Sequence, residues 1–440
     1  MSFQATAGGG SSRYGRPAAA VGGWPPAAAD AGGYPSVARS KNGDINLAYY
    51  SAAPDTPPRG FSPSPRGLSP PPAYTDVPRV TAAHPNMARL DDGDQPPAWY
   101  DPRGWRKRVW IALAALIVII CVVVPAVVVT INKKNAYPNY SALTYSLSET
   151  YSTDSFFDNF DYFEGYDPAE GFVHYVPAET AASLNLTYTS TSSALLRVDT
   201  SVGPSSTPDA STGRFSVRVT SKTQYSSGLF LFDVKHTPYG CGTWPALWLS
   251  DPDNWPTNGE IDVMEATNYA DDGNQVTLHT TGGCSMSGHK RKMTGESLQG
   301  DCHNTTNSNA GCGVEGAVST YGTEWNSGGG GVVALEWRDA GIRVWQFARD
   351  SIPDDISDDS PDPSTWGTAL ADFPDTGCDM SSHFKNQSII VNIDLCGQLT
   401  NAVWDESGCP SNCTDLVANQ PSSFTNAYWE FGDFKIYQSS

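Results

Sequence analysis

Residues 241–268 read CGTWPALWLSDPDNWPTNGEIDVMEATN. Two short runs of aliphatic, aromatic and β-branched residues, 246–250 (ALWLS) and 260–266 (EIDVMEA), flank a stretch of Asp, Pro, Asn and Gly. That pattern is two strands joined by a turn-rich loop. In the second run Glu260 and Asp262 share one strand face, and Ile261 and Val263 share the other. Glu265 has the wrong parity for the acidic face. A β-bulge at Val263-Met264 accommodates one extra residue and returns Glu265 to the side of Glu260 and Asp262. On a helix, at about 100° per residue, the three acids would scatter.

The same reading extends outward. Alternating or β-branched runs recur at 194–199, 214–221, 228–236, 275–281, 331–337, 342–348, 388–395 and 431–438, between Gly, Pro, Asn and Asp clusters. No long stretch from residue 145 onward has a helical period. Many short strands with turn-rich connections predict an all-β sandwich or barrel. Aromatic residues make up 11% of the chain, and they serve equally to fill such a core or to line a sugar-binding cleft.

Upstream the composition changes twice. Residues 1–108 are rich in Pro, Gly, Ala and Ser, without periodicity, and cannot bury enough apolar surface to offset chain entropy. They are expected to be a disordered tail, and their Pro-rich patch 61–72 reads as a solvated spacer. Residues 109–131, VWIALAALIVIICVVVPAVVVTI, carry no charge and are long enough to span a bilayer, with Pro125 tolerated inside the span. Residues 132–149 read as a stalk, and 150–440 as the folded domain. Arg103, Arg106, Lys107 and Arg108 precede the span, whereas only Lys133 and Lys134 follow it. The positive-inside rule then puts the tail in the cytoplasm and the domain outside, in a single-pass type II arrangement at the plasma membrane or within the secretory pathway.

Charge, cysteines and sequons agree with that orientation. The tail has a net charge of +4 and residues 132–440 a net charge of −24, so nucleic acid is an unsuitable partner. Of nine cysteines, Cys121 lies in the span and the other eight follow it, an even number suited to an oxidising compartment. Their pairing is open. The glycosylation sequons at Asn139, Asn185, Asn304, Asn386 and Asn412 all follow the span.

Three acids on one strand face repel one another, which leaves a purely structural role poorly motivated. A retaining glycosidase needs two carboxyls about 5–5.5 Å apart, one a nucleophile and one an acid/base. Glu260 and Glu265 can supply that pair, with Asp262 between them tuning both by its charge. A solvated polar face and a calcium site are the competing readings of the hexapeptide alone.

The flanking segments bear on that choice. GRFSVRVTSK (213–222), CGTWPALWLS (241–250), NWPTNGEIDVMEATN (254–268), NQVTLHTTGGC (274–284), GGGVVALEWRDAGIRVWQFAR (329–349) and NAYWEFGDFKIYQ (426–438) together resemble glycoside hydrolase family 16, fungal laminarinases in particular, in collinear order over about 150–440. The resemblance implies a jelly-roll sandwich of two curved antiparallel sheets with a glycan cleft. It also implies Glu260 as nucleophile, Asp262 as assisting acid and Glu265 as acid/base. Trp244 and Trp248, four apart on one strand, share a face and are candidates for stacking on sugar rings, with core packing the competing role for Trp248. His279 resembles a family histidine near the carboxylates. Trp337 and Trp345 are expected in or near the core. No redox or nucleotide cofactor follows; a structural calcium is known among relatives, but no ligands for it can be named.

The expected activity is endo-hydrolysis of β-1,3-glucan or mixed 1,3/1,4-glucan with net retention. A cell-wall glucan transglycosylase using the same covalent intermediate is the first alternative. A catalytically silent carbohydrate-binding or wall-assembly protein is the second.

Overall fold

The computed structural model describes residues 106–439 other than 135 and 208, so the tail expected over 1–108 lies almost wholly outside the described residues. Lys107–Lys134 is helical, and its portion Lys107–Val129 is long and apolar enough to cross a membrane. The α-helix widens to a π-turn over Ile119–Val123, immediately before Pro125. Proline lacks the N–H that would bond Cys121, and its ring crowds that carbonyl, so the ladder loosens there.

Two eight-stranded antiparallel sheets form the sandwich. The first runs, in spatial order, Glu296–Ser297, Cys312–Glu315, Gln275–His279, Glu260–Glu265, Thr243–Ser250, Gln387–Leu395, Arg218–Tyr225 and Phe160–Tyr162. The second runs Ala371–Pro374, Gly341–Ala348, Gly331–Arg338, Gly228–His236, Tyr428–Ser439, Ala194–Arg197 and Thr187–Thr189, with Tyr145–Tyr151 also paired to Tyr428–Ser439. Alternation decides what each strand buries. Leu247, Leu249, Ile261, Val276, Leu278, Val391 and Ile393 point inward from the first sheet and meet Phe230, Phe232, Val333, Leu335, Phe431 and Ile436 from the second. Phe156, Phe431 and Phe434 stack or meet edge-on in this interior, with centroids 4.9–5.6 Å apart.

Trp337 lies in this core, as expected. Trp345 has the opposite parity and is buried outside the sandwich, where it meets Trp366 edge-on at 5.4 Å. The eight cysteines form Cys241–Cys409, Cys284–Cys378, Cys302–Cys312 and Cys396–Cys413, while Cys121 is free.

The stalk expected over 132–149 needs correction. Tyr145–Tyr151 is a strand of the second sheet. Before it, Tyr137 and Tyr140 donate to Asp372, and the Arg343 guanidinium lies 4.0 Å from the Tyr140 ring centre. The polar sequence YSLSETY hides this strand because only Tyr151 among its seven residues is fully buried, so no apolar alternation marks it.

Candidate active site

The site is built on the strand Glu260–Glu265. Against its neighbour Gln275–His279, Asp262 faces Thr277 and Glu265 faces Gln275, so Val263 and Met264 together oppose a single residue. The bulge therefore sits where strand parity required it, and both of its side chains go to the core. Asn274 closes it. The Asn274 side-chain oxygen accepts the Glu265 N–H at 3.1 Å, and its amide donates to the Val263 carbonyl at 3.1 Å. Those are backbone groups that a bulge takes out of the ladder, and here they are buried and satisfied.

Around the acids, the pairing register gathers four groups. His279 lies directly across from Glu260, and its Nε2 is 4.0 Å from Glu260 and 3.4 Å from Asp262 Oδ2. That Asp262 oxygen is buried and has no hydrogen bond. Trp244 Nε1 donates to Glu265 at 2.7 Å. Trp248 lies across from Asp262 on the adjacent strand and donates to Asn392 at 2.8 Å. The Arg218 guanidinium stands 5.1 Å from its ring centre, so a cation occupies one face of the indole.

Electrostatics follow from burial. Withdrawal from water raises Glu260 and Glu265 above the ordinary carboxylate range, and the Asp262 charge raises both further. Burial by itself would lower His279, but its contact with Asp262 and the Glu260 charge outweigh that and lift it to about 9. The ring is then an imidazolium at neutral pH, set among three carboxyl groups. Among the described residues, the one set of three or more His, Cys, Asp or Glu donors able to hold an ion is Glu260, Asp262 and His279, with ligating atoms within 4.8 Å of one another. With the ring protonated, the set forms an ion-pair network.

Of the residues singled out from sequence, Glu260, Asp262, Glu265, Trp244 and His279 come together, and Trp248 lies beside them. Asn139, Asn185, Asn386 and Asn412 are exposed, and Asn304 is half-buried. Sequence reasoning missed Asn274, Arg218 and Asn392. It also missed Asn309, whose side-chain oxygen is 3.0 Å from His279 Nδ1. A polar residue at the mouth of a strand was the only signal for Asn274; the others reach the site through long-range contacts.

A family model described as the XgeA-like catalytic GH16 domain matches residues 160–437. The chain belongs to glycoside hydrolase family 16. It is 41% identical over 309 residues to a probable glycosidase of Schizosaccharomyces pombe, covering 69% of this chain and 72% of that one. It is 37% identical over 314 residues to the endo-1,3(4)-beta-glucanase XgeA of Emericella nidulans, covering 68% of this chain. The match spans 48% of that relative, about half its length. Among solved structures, the family 16 laminarinase 16A of Phanerochaete chrysosporium, with β-glucans in both donor and acceptor sites, superposes with a TM-score of 0.63. It is 39% identical and covers 67% of this chain and 100% of its own. The family's jelly-roll is thus the fold of this sandwich.

Proposed function

We propose that the chain is a membrane-anchored, retaining endo-β-glucanase acting on internal β-1,3 bonds, and on 1,4 bonds in mixed-linkage glucan. The observation that carries this is the bulge at Val263-Met264, which puts three carboxyl groups on one face beside Trp244 and His279. Relatives named as endo-1,3(4)-beta-glucanases support the substrate class.

In this mechanism Glu260 attacks the anomeric carbon while Glu265 protonates the departing glycosidic oxygen. A glucosyl ester forms on Glu260. Glu265, now a carboxylate, takes a proton from water, which attacks the same carbon and releases the sugar with its configuration retained. Burial favours the protonated form of Glu265 that the first step needs. Glu260 is raised as well, to about 8 against about 7 for Glu265, and the His279 cation opposes that rise, so the nucleophilic carboxylate forms by giving up its proton. Asp262 lies between them, and its charge raises both. Every step is proton transfer or displacement at carbon, and no cofactor takes part.

The span within Lys107–Lys134 anchors the domain, with the tail in the cytoplasm and the glucanase outside. Protease added to sealed microsomes should then trim only the tail.

The test of activity is a time course of products from linear β-1,3-glucan and mixed-linkage glucan. New reducing ends from internal cleavage with β-configured products are expected. Products longer than the substrate would make the enzyme a transglycosylase. Tight binding without new reducing ends or transfer would make it a binding protein.

A further inference from the structure

The loop between Cys302 and Cys312 is tied at both ends to the strand that carries His279. Its disulfide closes it, Thr280 N–H donates to the Cys302 carbonyl, and Asn304 N–H donates to the Thr280 carbonyl. At its far end Cys312 pairs with Leu278. Between these anchors Asn307, Ser308 and Asn309 have φ of 49°, 56° and 65°, and Gly311 has φ of 63°. Three consecutive non-glycine residues in the left-handed region are uncommon, and the surrounding closure holds them there. The result is a close approach to one side chain. A Cβ at Gly311 would stand 2.7 Å from His279 Cε1, so only glycine lets the chain pass over the ring. Asn309, two residues earlier, brings its side-chain oxygen to 3.0 Å from His279 Nδ1.

We propose that Asn309 is a positioning residue: the disulfide-closed loop holds its amide oxygen against His279 Nδ1, fixing the ring doubly protonated with Nε2 turned to Asp262 and Glu260. The geometry supports this from both sides. Nε2 faces two carboxyl groups and must carry a proton to be attracted to them. An oxygen on the opposite nitrogen then demands a second proton, since a lone pair at Nδ1 would face the lone pairs of Asn309. The charged groups acting on His279 are Glu260, Asp262 and Glu265 from the neighbouring strand. The loop on its other side offers a neutral amide. His303 in the loop and Asp301 just before it are engaged with Thr305 and Thr306. Asn309 thus adds a proton acceptor without adding a fourth negative charge to the cluster. For the reaction, a held imidazolium opposes the protonation of Glu260 that burial and the Asp262 charge favour; this consequence rests on the glucanase reading above.

Two variants test the proposal without disturbing the loop, because Gly and Asp both tolerate a left-handed backbone. In Asn309→Gly the full-length protein should lose about tenfold in kcat/KM, less than the ~10²–10⁴-fold of a group that transfers the proton itself. The acidic limb of its pH profile should move to higher pH, because Glu260 keeps its proton longer without the cation. Asn309→Asp retains the acceptor, so the His279 titration midpoint should not fall in that variant. A purely structural role would lower Tm and leave the limb unmoved, which would overturn the assignment. Histidine-selective 15N spectra of the detergent-solubilised chain give a readout that needs no substrate. The His279 titration midpoint should fall by on the order of one pH unit in Asn309→Gly, about one lost hydrogen bond to a charged group. An unchanged midpoint defeats the proposal whatever the activity. A shifted midpoint in a chain that releases nothing from glucan upholds the contact and defeats the glucanase reading instead.

Discussion

Two clusters of buried acids in this molecule are built to opposite rules. On the second sheet Glu336 is 1% exposed and Asp372 is fully buried. Glu336 accepts from Tyr145, Arg338 and both Nε and Nη2 of Arg343, and Asp372 accepts from Tyr137, Tyr140 and the Lys292 N–H. On the first sheet Glu260, Asp262 and Glu265 share one imidazole and one indole N–H, and Asp262 Oδ2 has only the 3.4 Å ion-pair contact with His279. Burial with full compensation fixes a structure, here the docking of the segment that follows the apolar helix. Burial with too few partners stores charge and protons for use on something else.

The largest expected effect comes from the undercompensated cluster. Glu265→Gln should cut turnover of natural glucan by at least ~10²–10⁴-fold, the usual contribution of a positioned acid–base group. It should leave Tm unchanged or higher, since it relieves like-charge repulsion. A glucan whose leaving group needs no proton should still trap the covalent species on Glu260, read by intact-protein mass spectrometry. An adduct on Glu260→Gln instead would reverse the roles of the two glutamates.

Glu336→Gln should do the opposite. Removing one partner of a buried ion pair typically costs about 3–5 kcal/mol, because Arg343 is left buried without its counter-charge. Denaturant unfolding should report that loss, while activity per folded molecule stays near wild type. Loss of activity without loss of stability would erase the distinction between the clusters.

pH sharpens the comparison. Glu260 and Glu265 are raised in the folded state from 4.5, so each favours folding less as pH rises through its folded pKa. His279 is raised from 6.5 to about 9, so its contribution is complete below 6.5 and is lost as pH rises through about 9. The glutamate terms make Tm fall as pH rises from 4.5 to about 7 for Glu265 and about 8 for Glu260, and the His279 term makes it fall from 6.5 to about 9. Thermal scans of Glu260→Gln should show a shallower fall than wild type; an equal slope would place the pH dependence elsewhere.

Smaller effects remain. Asn274→Ala leaves the Glu265 N–H and the Val263 carbonyl without their partner, a cost of about 1–3 kcal/mol per buried group. It should lower kcat as well, because the bulge holds Glu265 in place. Tyr140→Phe removes one hydrogen bond from the compensated cluster and should cost only about 0.5–1.5 kcal/mol, with glucan turnover unchanged. A marked change in turnover would mean that the docked segment reaches the site.

What the chain's own order of residues determined is local and periodic. Strand alternation identified the core faces, the apolar 23-residue run marked the candidate span, and parity alone demanded the bulge at Val263-Met264. These were legible because the cause and the pattern occupy the same few residues. Family resemblance added the roles of the acids, which periodicity does not supply. Tertiary structure decided the rest: which cysteines pair, that Tyr145–Tyr151 joins a sheet, that Arg218 covers Trp248, and that Asn309 meets His279 from 30 residues away. Such contacts depend on strand register and loop closure, so no window of sequence contains both partners. A polar side chain reads as solvent-facing until the fold brings its partner to it.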